Sequence, residues 1–97
     1  MNNLEFIWDD NKNISNQKKH GISFEEAKSV FFDELARLVP DPEHSKGEER
    51  FILMGISKQF RILTVCHCEI DLDTVRIISA RKADKKERKQ YEEYGHA

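Results

Sequence analysis

The sequence contains no long apolar run and no secretion signal. No stretch of its 97 residues approaches the roughly 18 apolar residues that a membrane-spanning helix needs. The first six residues, MNNLEF, lack the charged-then-apolar plan of a signal peptide. With 38% hydrophobic and 35% charged residues, the composition is that of one small globular domain with a heavily charged surface. We therefore expect a single cytoplasmic domain spanning residues 1–97, with no membrane partner.

Cysteine is also scarce. The two cysteines, Cys66 and Cys68, lie in a predicted strand, where both face the same side about 6–7 Å apart. That arrangement suits small buried side chains better than a disulfide. His67 lies between them and faces the opposite side, so the three cannot share one ion in a regular strand. The sequence predicts no metal site and no cofactor, and zinc binding by these three residues is the disfavoured alternative.

The net charge is only -2, which argues against a generic nucleic-acid binder, but the charges are unevenly placed. Residues 21–49 contain eight acidic and three basic residues, whereas residues 75–90 contain two acidic and seven basic residues. The second segment predicts a cationic surface. The acidic segment around 41–49 is expected to lie away from it and to face a basic partner.

Capping signals and apolar periodicity predict the element order β-α-α-β-β-β-β-α. Asp9 or Asp10 begins a helix that ends at Gly21, and Ser23 with Glu26, and Asp84 with Glu87, have capping-box spacing. The predicted elements are a strand at 4–8, helices to about residue 20 and from 23 to about 33, strands at 35–39, 50–56, 61–68 and 75–80, and a helix from 84 to about 94, followed by a frayed tail. The fold class is therefore α+β, with a single antiparallel sheet, two N-terminal helices and one C-terminal helix.

Two arginines are predicted to meet at one end of this sheet. Arg61 begins one strand and Arg81 ends the next, so a hairpin around residues 71–73 places both opposite the turn. A pair of guanidinium groups can hold phosphate oxygens and stabilise a pentacoordinate phosphorane. The alternative is ordinary: arginines at strand ends commonly extend into water, and residues 85–89 taken alone predict a solvated helix face.

Other residues have two interpretations as well. Tyr91 shares a helix face with Glu87 and could bind a base or a phosphate. His67 could act as a general acid or base near neutral pH, but it lies roughly 20 Å from Arg61 by strand rise, which favours a packing or hydrogen-bonding role. Trp8 and Phe24 are expected in the core rather than as stacking platforms.

An ordered set of segments resembles the BrnT toxin family. These segments are FIWD at residues 6–9, NQKKHGISFEEA at 16–27, VFFD at 30–33, Glu49-Arg50, Gly55, RILTV at 61–65, RIISARKA at 76–83, Glu87-Arg88 and Tyr91. The resemblance implies a RelE-like fold and a metal-independent ribonuclease that arrests translation. It also implies a DNA-binding antitoxin of the BrnA type, a possible toxin–antitoxin heterotetramer, and contact with operator DNA only through the antitoxin.

The resemblance also implies site residues. The family positions tied to activity match Arg61 and Arg81, and Lys19, Tyr91 and Trp8 match further contributors. We expect Arg61, Arg81, Lys19 and Tyr91 to be catalytic. The residues expected to bind RNA are Trp8, Arg76, Lys82 and Lys85. One departure is Phe60, where the family has glycine before the Arg61 strand.

The implied reaction is attack of a ribose 2′-hydroxyl on the adjacent phosphate. It leaves a 2′,3′-cyclic phosphate and a 5′-hydroxyl, and Arg61 and Arg81 would stabilise the phosphorane. Lys19 would add positive potential or protonate the leaving oxygen. Glu25 and Glu49 are candidates for the general base. A non-catalytic module that binds a partner or RNA is the alternative function.

Overall fold

The computed structural model describes residues 4–95, with side chains to residue 93. Of the predicted frayed tail, His96 and Ala97 lie outside the described residues. The predicted element order is confirmed. The described elements are β1 (Glu5–Ile7), α1 (Asp10–His20), α2 (Phe24–Ser29), β2 (Arg37–Pro40), β3 (Arg50–Ile56), β4 (Ile62–Asp71), β5 (Thr74–Lys82) and α3 (Lys85–Gly95), with short 3-10 helices at Val30–Phe32 and Pro42–His44.

The five strands form one sheet in the order β1-β5-β4-β3-β2. Strands β2 to β5 form an antiparallel meander, as predicted. The sheet is mixed and not wholly antiparallel as expected, because strand β1 pairs with β5 in parallel, with Phe6 opposite Val75. Most of the domain separates these two strands along the chain, so no hairpin turn dictates their relative direction.

The helix boundaries follow local capping chemistry. The Asp9 carboxylate accepts a hydrogen bond from the Lys12 N–H at 3.0 Å, and Gly21 ends α1 with a φ of 73°. At α3, Asp84 and Glu87 accept each other's N–H groups, both at 2.8 Å, which is the predicted capping box. At α2, Ser23 caps the Glu26 N–H, but the Glu26 carboxylate binds elsewhere. The box predicted there is therefore only half formed.

The core lies between α2 and one face of the sheet. Apolar side chains alternate along β4 and β5 toward this face, where Leu63, Val65 and Ile77 pack against Phe24 and Val30. A smaller cluster of Met54, Ala83 and Tyr91 with Ile62 holds α3 against the sheet. The sheet therefore has a helix-covered face and an opposite face that α3 covers in part.

Asn16 attaches α1 to the sheet. Its side-chain amide donates to the Ala80 carbonyl at 2.8 Å, and its side-chain oxygen accepts from the Ala80 N–H at 3.1 Å. The same amide donates to the Ile22 carbonyl. The Asn16 side chain thus satisfies the backbone N–H and C=O of Ala80, which lies beyond the part of β5 that pairs with β1. Within residues 4–95, no helix is long and apolar enough to span a membrane.

Candidate active site

The residues between the core positions of β4 and β5 face the less covered side of the sheet. Thr64 and Cys66 alternate with core residues Leu63 and Val65, and Arg81 lies opposite Thr64 in the register. We call this side the open face.

Two adjacent cavities on the open face have Arg50 and Ile78 as shared lining residues. The first has a volume of about 210 Å³, and the second about 430 Å³. The charged and polar residues that line the first cavity are Asp41, His44, Arg50, Thr64, Ser79 and Arg81. The second cavity adds Trp8, Asp9, Lys12, Glu48 and Arg76. We call the two together the open-face groove. It contains a single tryptophan among several cations.

Arg81 is held by Glu87 of α3. Its two terminal nitrogens donate to the two carboxylate oxygens at 2.8 and 2.9 Å. The Asp84 N–H and the Thr64 hydroxyl donate to the same carboxylate. The Arg81 guanidinium lowers the pKa of Glu87, and Glu87 raises the pKa of Arg81. Arg81 remains 43% exposed, so its guanidinium is oriented yet accessible.

Arg76 is held in the same manner by Glu48. The Arg76–Glu48 distance is 2.5 Å, and Arg50 lies 3.8 Å from the same carboxylate oxygen. Hydrogen bonds from the Cys68 thiol and from Arg76 lower the pKa of Glu48. The expectation that the acidic 41–49 segment lies away from the arginines is therefore wrong. This loop crosses the open face because residues 41–45 are tied to the start of β3: the Asp41 backbone N–H donates to the Arg50 carbonyl, and the Arg50 N–H donates to the Ser45 hydroxyl.

Arg61 lies at the same end of the sheet as Arg81 but on the helix-covered face. Its guanidinium donates to both oxygens of Glu26 in α2 and reaches the Gly21 carbonyl at 3.5 Å. Burial alone would raise the pKa of Glu26, but hydrogen bonds from Arg61 and Ser57 outweigh it and lower that pKa. The predicted convergence of Arg61 and Arg81 is wrong, because Arg61 shares the strand alternation of core residues Leu63 and Val65.

Tyr91 is buried, and its hydroxyl donates to Asp33 at 2.5 Å. The backbone N–H groups of Leu35 and Ile56 donate to the same carboxylate. Burial and this hydrogen bond raise the pKa of Tyr91 to about 12. The geometry does not present Tyr91 to a ligand; it fixes α3 to the segment that follows the 3-10 helix Val30–Phe32.

The remaining predicted residues are spread over the surface. Lys19 is exposed in the last turn of α1, and Lys82 and Lys85 are exposed around the junction of β5 and α3. Trp8 lies between two environments: its ring packs edge-on against Phe24 at 6.0 Å, and it also lines the groove. Trp8 therefore has both of the environments expected for it: it contacts the core residue Phe24, and it lines the groove where RNA binding is expected. Glu25 is exposed on α2, away from the groove.

The Cys66–Cys68 segment follows the predicted alternation. Cys66 lines the open-face groove, and Cys68 contacts Arg76 of that face. His67 faces the other side, where it packs against Phe31 and lines a cavity of about 650 Å³. Burial lowers the pKa of His67 and raises those of both thiols. Among residues 4–95, no three His, Cys, Asp or Glu side chains are grouped as metal ligands would be.

The groove residues that sequence reasoning missed include Asp41, His44 and Arg50. Arg50 lies on the same face of β3 as Ile52 and Met54, two and four residues further on, so its open-face direction follows from the strand period. Asp41 and His44 are brought in by a loop whose path no local pattern predicts, although Pro42 favours the tight turn between them.

Comparison with known proteins agrees with this fold. Residues 8–87 match the family model described as the ribonuclease toxin, BrnT, of type II toxin–antitoxin systems. The fold is also similar to a crystal structure of the Brucella abortus ribonuclease toxin BrnT, with a TM-score of 0.66 and 24% sequence identity over 84% of this chain and 99% of that one. The curated proteins yielded no match. The family match covers most of the sequence, and the chain therefore belongs to the BrnT family of ribonuclease toxins of type II toxin–antitoxin systems.

Proposed function

We propose that the open-face groove binds RNA and cleaves it beside Arg81. The observation that carries this proposal is the groove itself: it joins Arg50, Arg76 and Arg81 on the side of the sheet that α1 and α2 leave uncovered. Arginine forks match phosphate oxygens in geometry and charge. The ribonuclease description of the family supports the same assignment.

The proposed reaction is a transesterification within the RNA. The ribose 2′-oxygen attacks the adjacent phosphorus, the bond to the 5′-oxygen breaks, and a 2′,3′-cyclic phosphate and a 5′-hydroxyl result. Because the substrate carries its own nucleophile, this scheme needs neither a metal-bound water nor a covalent enzyme intermediate. Arg81, with Arg50 beside it, would stabilise the extra negative charge of the phosphorane.

The carboxylates in the groove occupy arginine donors that an RNA phosphate would use. Glu87 occupies two of the five donors of Arg81, and Glu48 bridges toward Arg76 and Arg50. An incoming phosphate would replace these carboxylates or share the remaining donors. Since the carboxylates keep the guanidinium groups in place before RNA arrives, little side-chain freedom remains to be lost on binding.

The other assigned residues would contribute at longer range. Trp8 would stack on a base at the far end of the groove, beside Arg76. Lys19, Lys82 and Lys85 would add positive potential that guides RNA to the groove. We assign Arg61 and Tyr91 to holding α2 and α3 in place, since Arg61 binds the buried carboxylate of Glu26 and Tyr91 binds the half-buried carboxylate of Asp33.

Within the type II system that the family implies, we propose a DNA-binding antitoxin of the BrnA type as the partner. Such an antitoxin would neutralise the toxin, form a heterotetramer with it, and carry all contact with operator DNA. Cleavage of cytoplasmic RNA would inhibit translation. The alternative is a module that binds RNA or a partner without cutting, and the carboxylate pairing of the groove arginines is the observation that favours it.

The decisive experiment is an RNA-cleavage assay on the purified chain in excess EDTA. The substrates are an RNA and the same RNA with a 2′-deoxyribose at the cleaved position, and the variants are Arg81→Ala and, as a matched control on α3, Arg88→Ala. We expect cleavage of the all-ribose substrate only, ending in a cyclic phosphate, and a loss of about 10²–10³-fold for Arg81→Ala.

Two results would contradict the proposal. A folded Arg81→Ala protein that cleaves as fast as the parent would remove the site from the open face. RNA binding without cleavage by the parent would favour the binding module.

A further inference from the structure

Asp41 and His44 form an ordered acid–base pair at the rim of the open-face groove. The turn Pro42–His44 brings the His44 Nδ1 to 2.9 Å from an oxygen of the Asp41 carboxylate. Asp41 is itself buried and fixed, because its N–H donates to the Arg50 carbonyl at 2.9 Å and its carbonyl accepts from the Ser45 hydroxyl at 2.6 Å. The carboxylate thus orients the imidazole from a rigid base.

The surroundings of this pair distinguish it from an ordinary surface ion pair. His44 lines the 210 Å³ cavity together with Arg81, and its side chain is 61% exposed, so a substrate can reach it. The titratable and charged groups that line the same cavity are Asp41 beside it in the loop, Arg50 from β3, Cys66 from β4 and Arg81 from β5. A phosphate held between Arg50 and Arg81 would therefore lie in the same cavity as the imidazole.

We propose that His44 is the general acid of the RNA cleavage, an inference that rests on the proposed function. With Nδ1 turned to Asp41, Nε2 is the nitrogen left for the substrate. As the 2′-oxygen bonds to phosphorus and the bond from phosphorus to the 5′-oxygen breaks, the Nε2 proton passes to the departing 5′-oxygen. The 2′-hydroxyl proton passes to water, and His44 regains a proton from water after the products leave.

Asp41 is a positioning residue in this scheme, because it acts through His44. The assignment also changes the roles of the residues considered for proton transfer. Lys19 is no longer needed to protonate the leaving oxygen. Because the 2′-hydroxyl proton passes to water, neither Glu25 nor Glu49 is needed as the general base.

The test compares two RNA substrates that differ in the leaving atom. One has the natural 5′-oxygen at the cleaved position, and the other has sulfur there, whose thiolate leaves without being protonated. The variants are His44→Ala, Arg81→Ala and, as a matched histidine outside the groove, His20→Ala. Circular dichroism checks that each variant is folded.

We expect His44→Ala to lose about 10²–10⁴-fold on the oxygen substrate and to cleave the sulfur substrate close to the parent rate. Arg81→Ala should be slow on both substrates, because phosphorane charge needs stabilising whatever atom leaves. Asp41→Asn should show a smaller oxygen-specific loss that the sulfur substrate also relieves, which a purely structural role would not produce.

Each other outcome overturns a defined part of the scheme. Equal losses on both substrates for His44→Ala would reduce His44 to a structural or phosphate-binding residue, and parent-like activity on the oxygen substrate would remove it from the reaction. If the parent cleaves neither substrate, the proposed function itself fails and this inference falls with it.

Discussion

Two arginine–carboxylate pairs lie at the same end of the sheet, one on each face, and they differ in burial. Glu26 is only 2% exposed and Arg61 32%, whereas Glu87 is 24% exposed and Arg81 43%. A charge enclosed by a helix needs its partner in order to stay charged, while a pair in contact with water can exchange its partner for a ligand. The comparison supports the proposal that Arg61 contributes to stability and Arg81 to the binding of RNA, although both arginines lie at strand ends.

The largest expected effect is on stability, from breaking the helix-covered pair. Arg61→Met leaves the buried Glu26 carboxylate with Ser57 as its remaining side-chain partner, and should lower the free energy of unfolding by about 3 kcal/mol. That is the low end for a buried pair, because Arg61 is partly exposed. Replacing both residues, as Glu26→Leu with Arg61→Met, should recover most of the loss. Urea unfolding measures the stability of the single and the double variant. If Arg61→Met were as stable as the parent, the helix-covered pair would matter no more to stability than the open-face pair.

The open-face pair should show the reverse. Arg81→Met should change the free energy of unfolding by less than about 1 kcal/mol, because the pair is partly exposed. The same change should slow RNA cleavage by about 10²–10³-fold. Measuring both quantities on one preparation separates the faces. A large stability loss with unchanged cleavage would invert the comparison.

Tyr91→Phe tests the assignment of the tyrosine to packing. Asp33 keeps the N–H groups of Leu35 and Ile56, so the loss should be about 1–2 kcal/mol of unfolding free energy, with cleavage per folded molecule unchanged. Since the folded-state pKa of Tyr91 is raised from 10 to about 12, its contribution is fully present below pH 10 and is lost as the pH rises through 12. The variant should lack that alkaline loss in unfolding curves taken across this range, and a stable Tyr91→Phe protein with slow cleavage would return the hydroxyl to the reaction.

Two carboxylates should make the protein less stable at low pH, whereas Tyr91 makes it less stable at high pH. The pKa values of Glu26 and Asp33 are lowered from 4.5 and 3.8, so the stability they contribute is present above those values and is lost as the pH falls through the folded-state pKa. Glu26→Gln should flatten the dependence of unfolding free energy on pH below 4.5. An unchanged slope would show that this carboxylate does not titrate with unfolding.

The smallest expected effect is at the turn before β4. Phe60 has a φ of 62° and is 85% exposed, so its backbone is strained while its ring packs little. Phe60→Gly should raise the free energy of unfolding by up to about 1 kcal/mol, which thermal unfolding would show as a slightly higher melting temperature. Phe60→Ala keeps the strain and removes only the exposed ring, and it should be close to neutral. A gain for alanine equal to that for glycine would mean that the ring, and not the backbone, is unfavourable.

Local chemistry predicted most of the fold. Capping residues and αL glycine gave the limits of α1 and the start of α3, and the strand patterns gave the meander, because these signals act over a few residues. The site was less predictable, since it depends on register. The face of Arg61 could have been predicted, because a count in steps of two places Arg61 on the same face as the core residues Leu63 and Val65. The position of His44 could not be predicted from the sequence, because it depends on how a loop crosses three strands.

The amide of Asn16 has one more consequence, for how copies of this chain meet. Strand β1 is the outermost strand on the β5 side of the sheet but pairs only with residues 74–76, so β5 would otherwise present the Ala80 N–H and C=O to another extended segment. Both groups are already bonded to Asn16, so an approaching strand finds no donor or acceptor at that position. At the other margin, β2 is only four residues long and ends in Pro40, which has no N–H to offer. Edge-to-edge pairing of sheets from two molecules is thereby disfavoured on both sides. On β5 the Asn16 side chain occupies the backbone groups of Ala80, and on β2 the short strand and its proline leave few free backbone groups.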